Sequence, residues 1–299
     1  MNDFRLLVFI AVAKNLSFTK AANELRVSQP AVSKHISELE ALYGVQLFER
    51  VKNGVSLTKQ GAIFLVLAQE ICQKYKDLEF EMNILSNNYS GNLIIGASTT
   101  IAQYILPKII AKFMKRFPEI KLSLISGNTS QIEQYILDNK VDIGFVEGAS
   151  HKKEFHYSAL GRDELVLVTT TKNRSEEIGL DQLKTLPLVL RENGSGTLEV
   201  IINVLKEKGV NFSTLNVLIQ LGSSEAIKRY IIESNSFAIL SVNAVFDELK
   251  SGKLQIIDID CVMFEREFSY IVKAGSQNRL ADEFSAFVSF DWEIPKTSL

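Results

Sequence analysis

The chain has 299 residues, 46% of them hydrophobic and 23% charged, values that are ordinary for a globular protein of two or three domains. Its net charge is −2, but residues 1–60 carry eight Lys/Arg against five Asp/Glu, which leaves 25 against 30 for the remainder. The two cysteines, Cys72 and Cys261, lie far apart and outside any CxxC or Cys/His cluster. We therefore expect neither a disulfide framework nor a metal site.

The sequence contains no segment typical of export or of membrane insertion. Residues 1–5 lead directly into an amphipathic series, without the basic stretch, apolar core and small-residue cleavage site of a signal peptide. The richest apolar run, Ala62–Ala68, is about a third of the ~20 residues needed to span a bilayer. We therefore expect a cytoplasmic protein with no membrane partner.

Three helices are predicted at the N-terminal end. The first covers about Asp3–Lys14, and its broad apolar face is expected to pack against the two helices that follow. Ser17 can cap a second helix that ends near Arg26. Ser28 can cap a third helix with Pro30 in its first turn, where a missing backbone N–H removes no hydrogen bond.

The third predicted helix has two chemically different faces. Its apolar residues recur at steps of four, three and four and form one inward stripe of Val32, Ile36, Leu39 and Tyr43. The side chains off this stripe are short hydrogen-bonding or cationic groups, namely Gln29, Ser33, Lys34 and Ser37. Such a face, near the partial positive charge of a helix N-terminus, suits an element laid into a DNA groove. A solvated helix face gives the same pattern, so the neighbouring residues are needed to distinguish a DNA-binding face from a solvated one.

A small hairpin is predicted directly after this helix. Two short apolar runs flank Lys52-Asn53-Gly54, and Asn-Gly is a strong signal for a two-residue hairpin turn. A helix-turn-helix followed by a hairpin is a winged arrangement, which favours DNA binding over a merely solvated face.

The same residues resemble a known family. The motifs SFTKAANEL, VSQPAVSKHISELE, YGVQLFER and LTKQG are similar to the N-terminal domain of LysR-type transcriptional regulators, and the match is nearly continuous from Met1 to Gly61. The resemblance implies double-stranded promoter DNA as a partner. It assigns DNA contacts to Ser28, Gln29, Pro30, Ala31, Ser33 and Lys34, and a wing contact to Arg50.

The predicted wing departs from the family pattern. Where many members have an arginine just before the hairpin glycine, this chain has Asn53, with Lys52 one residue earlier. Ser56 stands where a basic or amide residue is common. We therefore expect the wing to bind phosphate more weakly than in those members.

A long helix is predicted from Thr58 to about Leu85. Its apolar residues alternate at steps of four and three, as in a heptad seam of Phe64, Ala68, Ile71, Tyr75, Leu78, Met82 and Leu85. A seam of this length cannot be buried against so small a domain, so a partner helix is expected. The family resemblance agrees with a homodimer or homotetramer, and the alternative is a helix packed across its own domain.

A polar, turn-rich break at Asn87–Asn92 precedes a region where predicted strands and helices alternate, which implies a parallel α/β layer. The pattern repeats between Leu165 and Leu240, and a final strand and helix are expected to return to the first half. The resemblance implies two Rossmann-like, periplasmic-binding-protein-like lobes joined by two crossing strands. The expected fold class is α/β overall, with a winged helix-turn-helix over 1–58, a dimerisation helix over 59–87 and an effector domain over 88–299. Within it, lobe I covers about 92–161 and 269–299, and lobe II about 162–268.

Hydroxyl- and glycine-rich turns follow four of the predicted strands. In open α/β sheets ligands bind outside the carboxyl ends of the strands, where helix N-termini present unpaired N–H groups. Any one turn is most simply a helix cap, but four that converge on one cleft predict a site for a small polar metabolite acting as co-inducer. The expected effector-binding residues are Ser98, Thr99, Thr100, Asn128, Thr129, Glu147, Ser195, Thr197 and Ser223.

Glu147 is the one carboxylate in this set. Near a cleft that otherwise favours anions, it is expected to repel a dianion and to accept an ammonium group. We therefore expect a zwitterionic or amine-bearing metabolite, with selection against multiply charged anions.

No enzymatic centre is predicted. The chain has three histidines, His35, His151 and His156, and no HExxH, GxSxG or P-loop pattern. We expect no catalytic residue, no bound metal and no cofactor, while RNA polymerase is a further partner open to a promoter-bound regulator. The alternative function is a cytoplasmic small-molecule-binding module without a gene-regulatory role, which leaves the first 60 residues unexplained.

Overall fold

The computed structural model describes residues 3–51, 54–85, 90–148, 152–171 and 176–292, excluding the side chains of residues 79–81 and 83–85. The chain divides into two units, residues 1–88 with 276–279 and residues 89–275 with 280–299. Within the described ranges, no helix combines the length and the apolar character needed to cross a membrane.

The first unit is a helical domain with a hairpin and a long helix. Its helices are α1 (Phe4–Asn15), α2 (Phe18–Leu25), α3 (Gln29–Tyr43) and α4 (Lys59–Leu85), and the hairpin pairs β1 (Phe48–Val51) with β2 (Gly54–Leu57). The predicted caps are present, because the Ser17 hydroxyl accepts from Lys20 N at 3.3 Å and the Ser28 hydroxyl from Ala31 N at 3.4 Å. The predicted winged helix-turn-helix is confirmed.

The inward stripe of α3 is confirmed except at its last position. Val32, Ile36 and Leu39 are buried in one core with α1 and α2. Tyr43 is 55% exposed, so its placement in the stripe was wrong. The helix ends at Tyr43, and its last turn lies outside the core, where the Tyr43 ring contacts Phe64 of α4 at 5.3 Å between centroids.

The predicted seam of α4 is divided between two faces. Ala68 is buried in the core of the first unit, and Phe64 packs against that core, because α1 covers this side of the helix. Assigning these two residues to a seam for a partner helix was therefore wrong. A second face carries apolar side chains that are 46% to 65% exposed, namely Ile63, Val66, Leu67, Ile71, Leu78 and Met82.

The second unit is built on an eight-stranded mixed sheet of strand order β4-β3-β5-β12-β6-β11-β7, with β10 paired to β6. These strands are β3 (Gly91–Ser98), β4 (Ile120–Gly127), β5 (Ile143–Gly148), β6 (Phe155–Thr170), β7 (Glu177–Ile178), β10 (Ala238–Ser241), β11 (Leu254–Ile259) and β12 (Phe264–Lys273). A separate parallel pair is formed by β8 (Leu188–Arg191) and β9 (Val217–Leu221).

The helices of the second unit follow the expected alternation. A π-helical turn (Ile101–Ile105) leads into α5 (Leu106–Arg116), and the others are α6 (Thr129–Leu137), α7 (Leu180–Leu183), α8 (Gly196–Glu207), α9 (Ser224–Ser234), α10 (Val242–Lys250) and α11 (Arg279–Asp291), with a short 3₁₀ turn at Phe212–Thr214. The return of the last elements to the first half is confirmed, because β12 pairs with β5 and Phe284 of α11 packs edge-on against Phe113 of α5.

Two long antiparallel strands, β6 and β12, connect the two lobes. Their register shifts between Phe268 and Ser269, and the part of β12 after this point pairs with β5 in lobe I. The later part of β6 pairs with β10 and β11 in lobe II. The expected pair of crossing strands is therefore confirmed, and the residues near the register shift lie where the lobes meet.

Candidate functional site

The residues of α3 and its cap that are predicted to contact DNA lie together at the start of this helix. Ser28, Gln29, Pro30 and Lys34 are exposed, whereas Ala31 and Ser33 are half-buried. The Gln29 amide nitrogen donates to the Ser33 hydroxyl at 2.8 Å, so one side chain orients the other. This face is open to a large partner.

The hairpin is fastened to α3 by a residue that the sequence reading did not select. One carboxylate oxygen of Glu40 accepts from Leu47 N at 2.8 Å and from Phe48 N at 3.3 Å. Arg50 is exposed on β1, one residue after Glu49, whose carboxylate accepts from the Ser56 hydroxyl at 3.1 Å. The wing residues Lys52 and Asn53, like residues 87–89 of the predicted hinge at 87–92, lie outside the described residues.

Three of the predicted effector-binding residues act as helix caps. The Ser98 hydroxyl accepts from Ile101 N at 3.4 Å, and the Ser223 hydroxyl accepts from Ala226 N at 3.4 Å. Asn128 caps α6 through its oxygen, which accepts from Gln131 N at 2.9 Å. For these three residues the structure therefore shows the simpler role, that of a helix cap.

The turns of the two lobes are in direct contact. Ser130 N donates to Gly194 O at 3.1 Å, and the Asn128 amide donates to the Glu192 carboxylate at 3.2 Å. The start of α8 packs against β5 so closely that a Cβ on Gly196 would lie 1.9 Å from the Glu147 carbonyl oxygen. Only glycine permits this approach of two backbones.

Arg266 of β12 joins three other buried side chains. Its Nε donates to Asp163 at 2.7 Å, its Nη1 donates to the Thr197 hydroxyl at 2.8 Å, and Nη1 lies 3.3 Å from a Glu147 carboxylate oxygen. Glu147 is therefore paired with a cation of its own chain. One cation between two carboxylates still leaves this group with a net charge of −1, so repulsion of a dianion stays a prediction.

Several polar atoms in this region are buried and have no hydrogen-bond partner among the described residues. Buried polar groups are normally paired, so each such atom needs an explanation. Most of these atoms are donors, and a small ligand rich in acceptors would satisfy them. The atoms at this site are Thr99 Oγ1, Thr100 Oγ1, Ser195 Oγ, Glu147 Oε2, Arg191 Nη1 and Arg266 Nη2.

A second contact between the lobes involves Tyr104 in the π-helical turn. Its hydroxyl donates to the Glu225 carboxylate of α9 at 2.5 Å, and Lys228 lies 2.7 Å from that carboxylate and 3.0 Å from Glu248. Burial and the neighbouring Glu225 carboxylate raise the pKa of Tyr104 well above its usual value of 10.0, so the phenol remains a donor. π-Helical turns occur frequently at functional sites.

A groove of about 330 Å³ lies between α6 and α8 and reaches two of the predicted site residues, Thr129 and Ser195. Its charged lining residues are Glu133, Lys152 and Glu199. Its volume is in the range of small-molecule sites, and Ser195 belongs both to the groove lining and to the enclosed polar atoms.

The sequence reading missed Arg191, Arg266 and Tyr104, although two of them carry a signal. Phe264, Arg266 and Phe268 alternate on the buried face of β12, and arginine at an inward strand position is rare unless it is paired. Arg191 ends the otherwise apolar strand LVLR and is 1% exposed. Tyr104 lies in a stretch that is read as ordinary helix, and no local pattern distinguishes it.

Comparisons with known proteins agree with this architecture. A family model described as a bacterial regulatory helix-turn-helix protein of the lysR family matches residues 4–62, and one described as the LysR substrate binding domain matches residues 86–290. The transcriptional regulator CysL of Bacillus subtilis is 30% identical over 89% of each chain.

Two solved structures are similar in fold. The regulatory domain of CcmR from Synechocystis, in complex with 2-PG, has a TM-score of 0.59 and 26% identity and covers 66% of this chain and 97% of its own. Full-length CbnR, complexed with its target DNA, has a TM-score of 0.62 and 20% identity and covers 96% of this chain and 99% of its own. With both domain models matched and a relative of 30% identity along most of the chain, the protein belongs to the LysR family of DNA-binding transcriptional regulators.

Proposed function

We propose that the protein binds promoter DNA as a homodimer or homotetramer and responds to a small polar metabolite held between the lobes of its second unit. The observation that carries the ligand part is the set of buried, unpartnered polar atoms at the lobe interface. The DNA part is supported by the exposed polar face of α3.

In this proposal, α3 enters the major groove and the hairpin contacts the backbone. Ser28, Gln29, Ser33 and Lys34 supply hydrogen-bonding and cationic groups to bases and nearby phosphates, with Pro30 and Ala31 in close apolar contact. Arg50 contacts phosphate from β1. CbnR, which shares the fold, was solved with its target DNA, and this supports DNA as the partner.

The exposed apolar face of α4 supports pairing with a second copy of the chain. Leu67, Ile71 and Leu78 lie on the side of α4 away from the core of the first unit, and a contiguous apolar face on a long helix marks an interaction surface. A two-fold dimer presents two α3 helices to two half-sites of an interrupted palindrome. RNA polymerase is the further partner that a promoter-bound dimer would meet.

The effector is proposed to lie between the lobes, in contact with the hydroxyls of Thr99, Thr100 and Ser195. Thr129 and Thr197 are already engaged, because the first donates to Glu147 O at 2.9 Å and the second accepts from Arg266. Thr129 and Thr197 therefore fix the structure of the lobe surfaces, while the hydroxyls of Thr99, Thr100 and Ser195 contact the ligand. Lobe packing then changes the spacing of the paired DNA-binding domains, for which a coupling of about 1–3 kcal/mol is sufficient.

The DNA part is tested by selecting bound fragments from a random DNA library and footprinting the product. Wild type should protect two half-sites and sediment as a dimer or tetramer. Leu67→Asp should dissociate the assembly and lose DNA binding, whereas Glu70→Gln on the same helix should change neither. A monomeric wild type without DNA binding would refute the proposal.

The wing is tested by the salt dependence of DNA binding. Arg50→Ala should weaken binding to all sequences and reduce the slope of log affinity against log salt by about one unit. An altered sequence preference with an unchanged slope would mean that Arg50 contacts a base instead.

The ligand part is tested by screening small metabolites, amino-acid derivatives and inorganic oxyanions for stabilisation of the full chain against heat. Thr100→Val should abolish the effect of a stabilising compound on footprint length while leaving ligand-free DNA affinity nearly unchanged. A full response from this variant would mean that the site lies elsewhere.

A further inference from the structure

Two arginines are buried where the lobes meet, and their surroundings differ. Arg266 lies between Asp163 and Glu147, so its group carries one excess negative charge. Arg191, at the carboxyl end of β8, donates through Nε and Nη2 to the two oxygens of Glu192 at 2.8 and 3.0 Å. The Arg191–Glu192 pair is neutral, so the two arginine groups differ in net charge.

One nitrogen of the Arg191 guanidinium, Nη1, takes no part in the pair with Glu192. Its Nη1 is buried and finds no hydrogen-bond partner within the described part of the chain, although the residue is 1% exposed. An enclosed N–H donor without an acceptor is unfavourable, more so when it belongs to a charged group. The pairing with Glu192 therefore holds the guanidinium in place without satisfying it.

Arg191 is associated with two contacts that join the lobes. Its partner Glu192 accepts from Asn128 of lobe I, and Tyr104 of lobe I, which bonds to Glu225, is within reach of its charge. The positive charge of Arg191 acts to lower the pKa of Tyr104, against the larger effects of burial and Glu225, as a guanidinium facing lobe I would.

The segment of lobe I that leads into Tyr104 carries two more donors. Thr99 and Thr100 are buried, and their hydroxyl oxygens also have no partner among the residues described. Both residues directly follow β3, one of the strand ends at the lobe interface. Lobe I thus contributes two enclosed hydroxyls and lobe II one guanidinium N–H, and these are the donors that an oxyanion satisfies.

We propose that Arg191 Nη1, together with the hydroxyls of Thr99 and Thr100, binds a singly charged oxyanion group of the effector, such as a carboxylate. This inference rests on the proposed inter-lobe site and adds the ligand group and a residue that selects it. A second negative charge is disfavoured, because Glu192 already neutralises Arg191 and the Arg266 group carries the excess charge of Glu147 and Asp163.

The experiment measures heat stability and binding heats of the full chain with five probes. Glycolate and L-serine supply a carboxylate, nitrate is an inorganic monoanion, sulfate is a dianion, and ethylene glycol has hydroxyls without charge. Glycolate or L-serine should bind saturably and raise the melting temperature, whereas sulfate and ethylene glycol should not. A response to nitrate alone would assign the site to an inorganic monoanion, which has the same charge and planar oxyanion chemistry.

Arg191→Gln should weaken binding of the responding probe, whether glycolate, L-serine or nitrate, by about tenfold or more, as expected for loss of a charge-assisted hydrogen bond. The matched control is Arg229→Gln, which removes the same charge from an exposed position on α9 and should bind as wild type. Because Arg191→Gln leaves Glu192 without its main partner and can unfold the lobe, Arg191→Gln/Glu192→Gln keeps the pair neutral. Thr100→Val removes only one donor. This variant and Arg191→Gln/Glu192→Gln should both lose affinity for the responding probe.

Three results would overturn the inference. The first is that wild type responds to none of the three probes that carry one negative oxyanion group, namely glycolate, L-serine and nitrate. The second is that sulfate binds better than all of them, and the third is that the folded Arg191 variants bind as wild type. DNA footprints and oligomeric state are measured on the same preparations. If the footprints and the oligomeric state are as proposed while the probe-binding test fails, the regulator function is supported and only the anion subsite is refuted.

Discussion

The polar residues of α3 and those between the lobes are similar in type but opposite in surroundings. On α3 most of them are exposed, and Gln29 has a local partner in Ser33. Between the lobes they are buried, and the hydroxyls of Thr99, Thr100 and Ser195 find no partner in the ranges that the structure describes. An exposed face can meet a partner as large as DNA without rearrangement. An enclosed set of donors suits a small ligand that enters when the lobes separate.

This difference predicts how the two regions respond to substitution. Surface changes away from special features alter stability by roughly 0.5 kcal/mol or less, so changes on α3 should affect DNA binding and little else. Breaking a buried charged network leaves uncompensated charge in a medium of low polarity, so changes between the lobes should first affect stability.

The largest effect is expected for Arg266→Ala. The side chain is fully buried between Asp163 and Glu147, and its removal leaves two buried carboxylates without their cation. We expect the free energy of unfolding of the second unit to fall by about 3–5 kcal/mol, measured by urea denaturation. Arg162→Ala, on the exposed side of β6, is the matched control and should change it by less than about 0.5 kcal/mol. Equal effects from both variants would remove the contrast between buried and exposed polar residues.

The opposite behaviour is expected for Gln29→Ala. This exposed residue should contribute little to stability, whereas its loss should weaken binding at the preferred half-site by about 1–3 kcal/mol, measured by titration of the selected DNA. Lys34→Ala should act similarly. Gln220→Ala, which replaces an exposed glutamine on β9 of the second unit, is the control. A large fall in melting temperature without loss of DNA affinity would contradict the role of Gln29.

The two regions also differed in how far the sequence could predict them. The winged domain follows from caps, an apolar stripe and an Asn-Gly turn, all of which are local signals. The alternation of strands and helices likewise predicted the α/β layers. The pairing of Glu147 with Arg266 could not be predicted, because 119 residues separate them in the chain and only the crossing of β12 beside β5 brings them together.

The seam of α4 was misplaced for a related reason. Phe64 and Ala68 fit a heptad pattern, but such a pattern does not say which neighbour covers each face. In the structure α1 covers that side, and the side carrying Ile63 and Leu67 is exposed. Periodicity therefore predicted a helix with apolar faces, and only tertiary packing could assign them.

A smaller effect is expected for Tyr104→Phe, which removes a hydrogen bond between the lobes. Because Glu225 is partly exposed, we expect a loss of about 1 kcal/mol in unfolding free energy and faster hydrogen exchange in the π-helical turn. Tyr230→Phe, on the same helix as Glu225, is the control. If exchange in the turn is unchanged, Tyr104 does not hold the lobes together.

The same contact has a defined pH dependence. Burial acts to raise the pKa of Glu225, but the hydrogen bonds from Lys228 and Tyr104 outweigh it and leave the pKa below its usual value of 4.5. A folded-state pKa that is lowered means that the stabilisation is fully present above pH 4.5 and is lost as the pH falls through the folded-state value. The difference between wild type and Glu225→Gln should therefore be constant near neutral pH and shrink only in acid.

The smallest effect is expected for Cys261→Gly, a residue outside both polar regions. Cys261 is exposed and has φ 57°, a left-handed conformation that is unfavourable for a residue with a Cβ by roughly 1–2 kcal/mol. Glycine removes this strain but adds about 0.5–1 kcal/mol of unfolded-state entropy, so the net gain should be about 0.5–1 kcal/mol in urea denaturation. Asn235→Gly is the matched control, because Asn235 has φ 53° but tolerates it and accepts from the Thr170 hydroxyl at 3.0 Å. Its replacement should bring no gain. Since Cys261→Gly should raise stability without changing DNA affinity or ligand response, it separates an effect on folding from an effect on either site; a change in either binding property would mean that this loop is coupled to the sites.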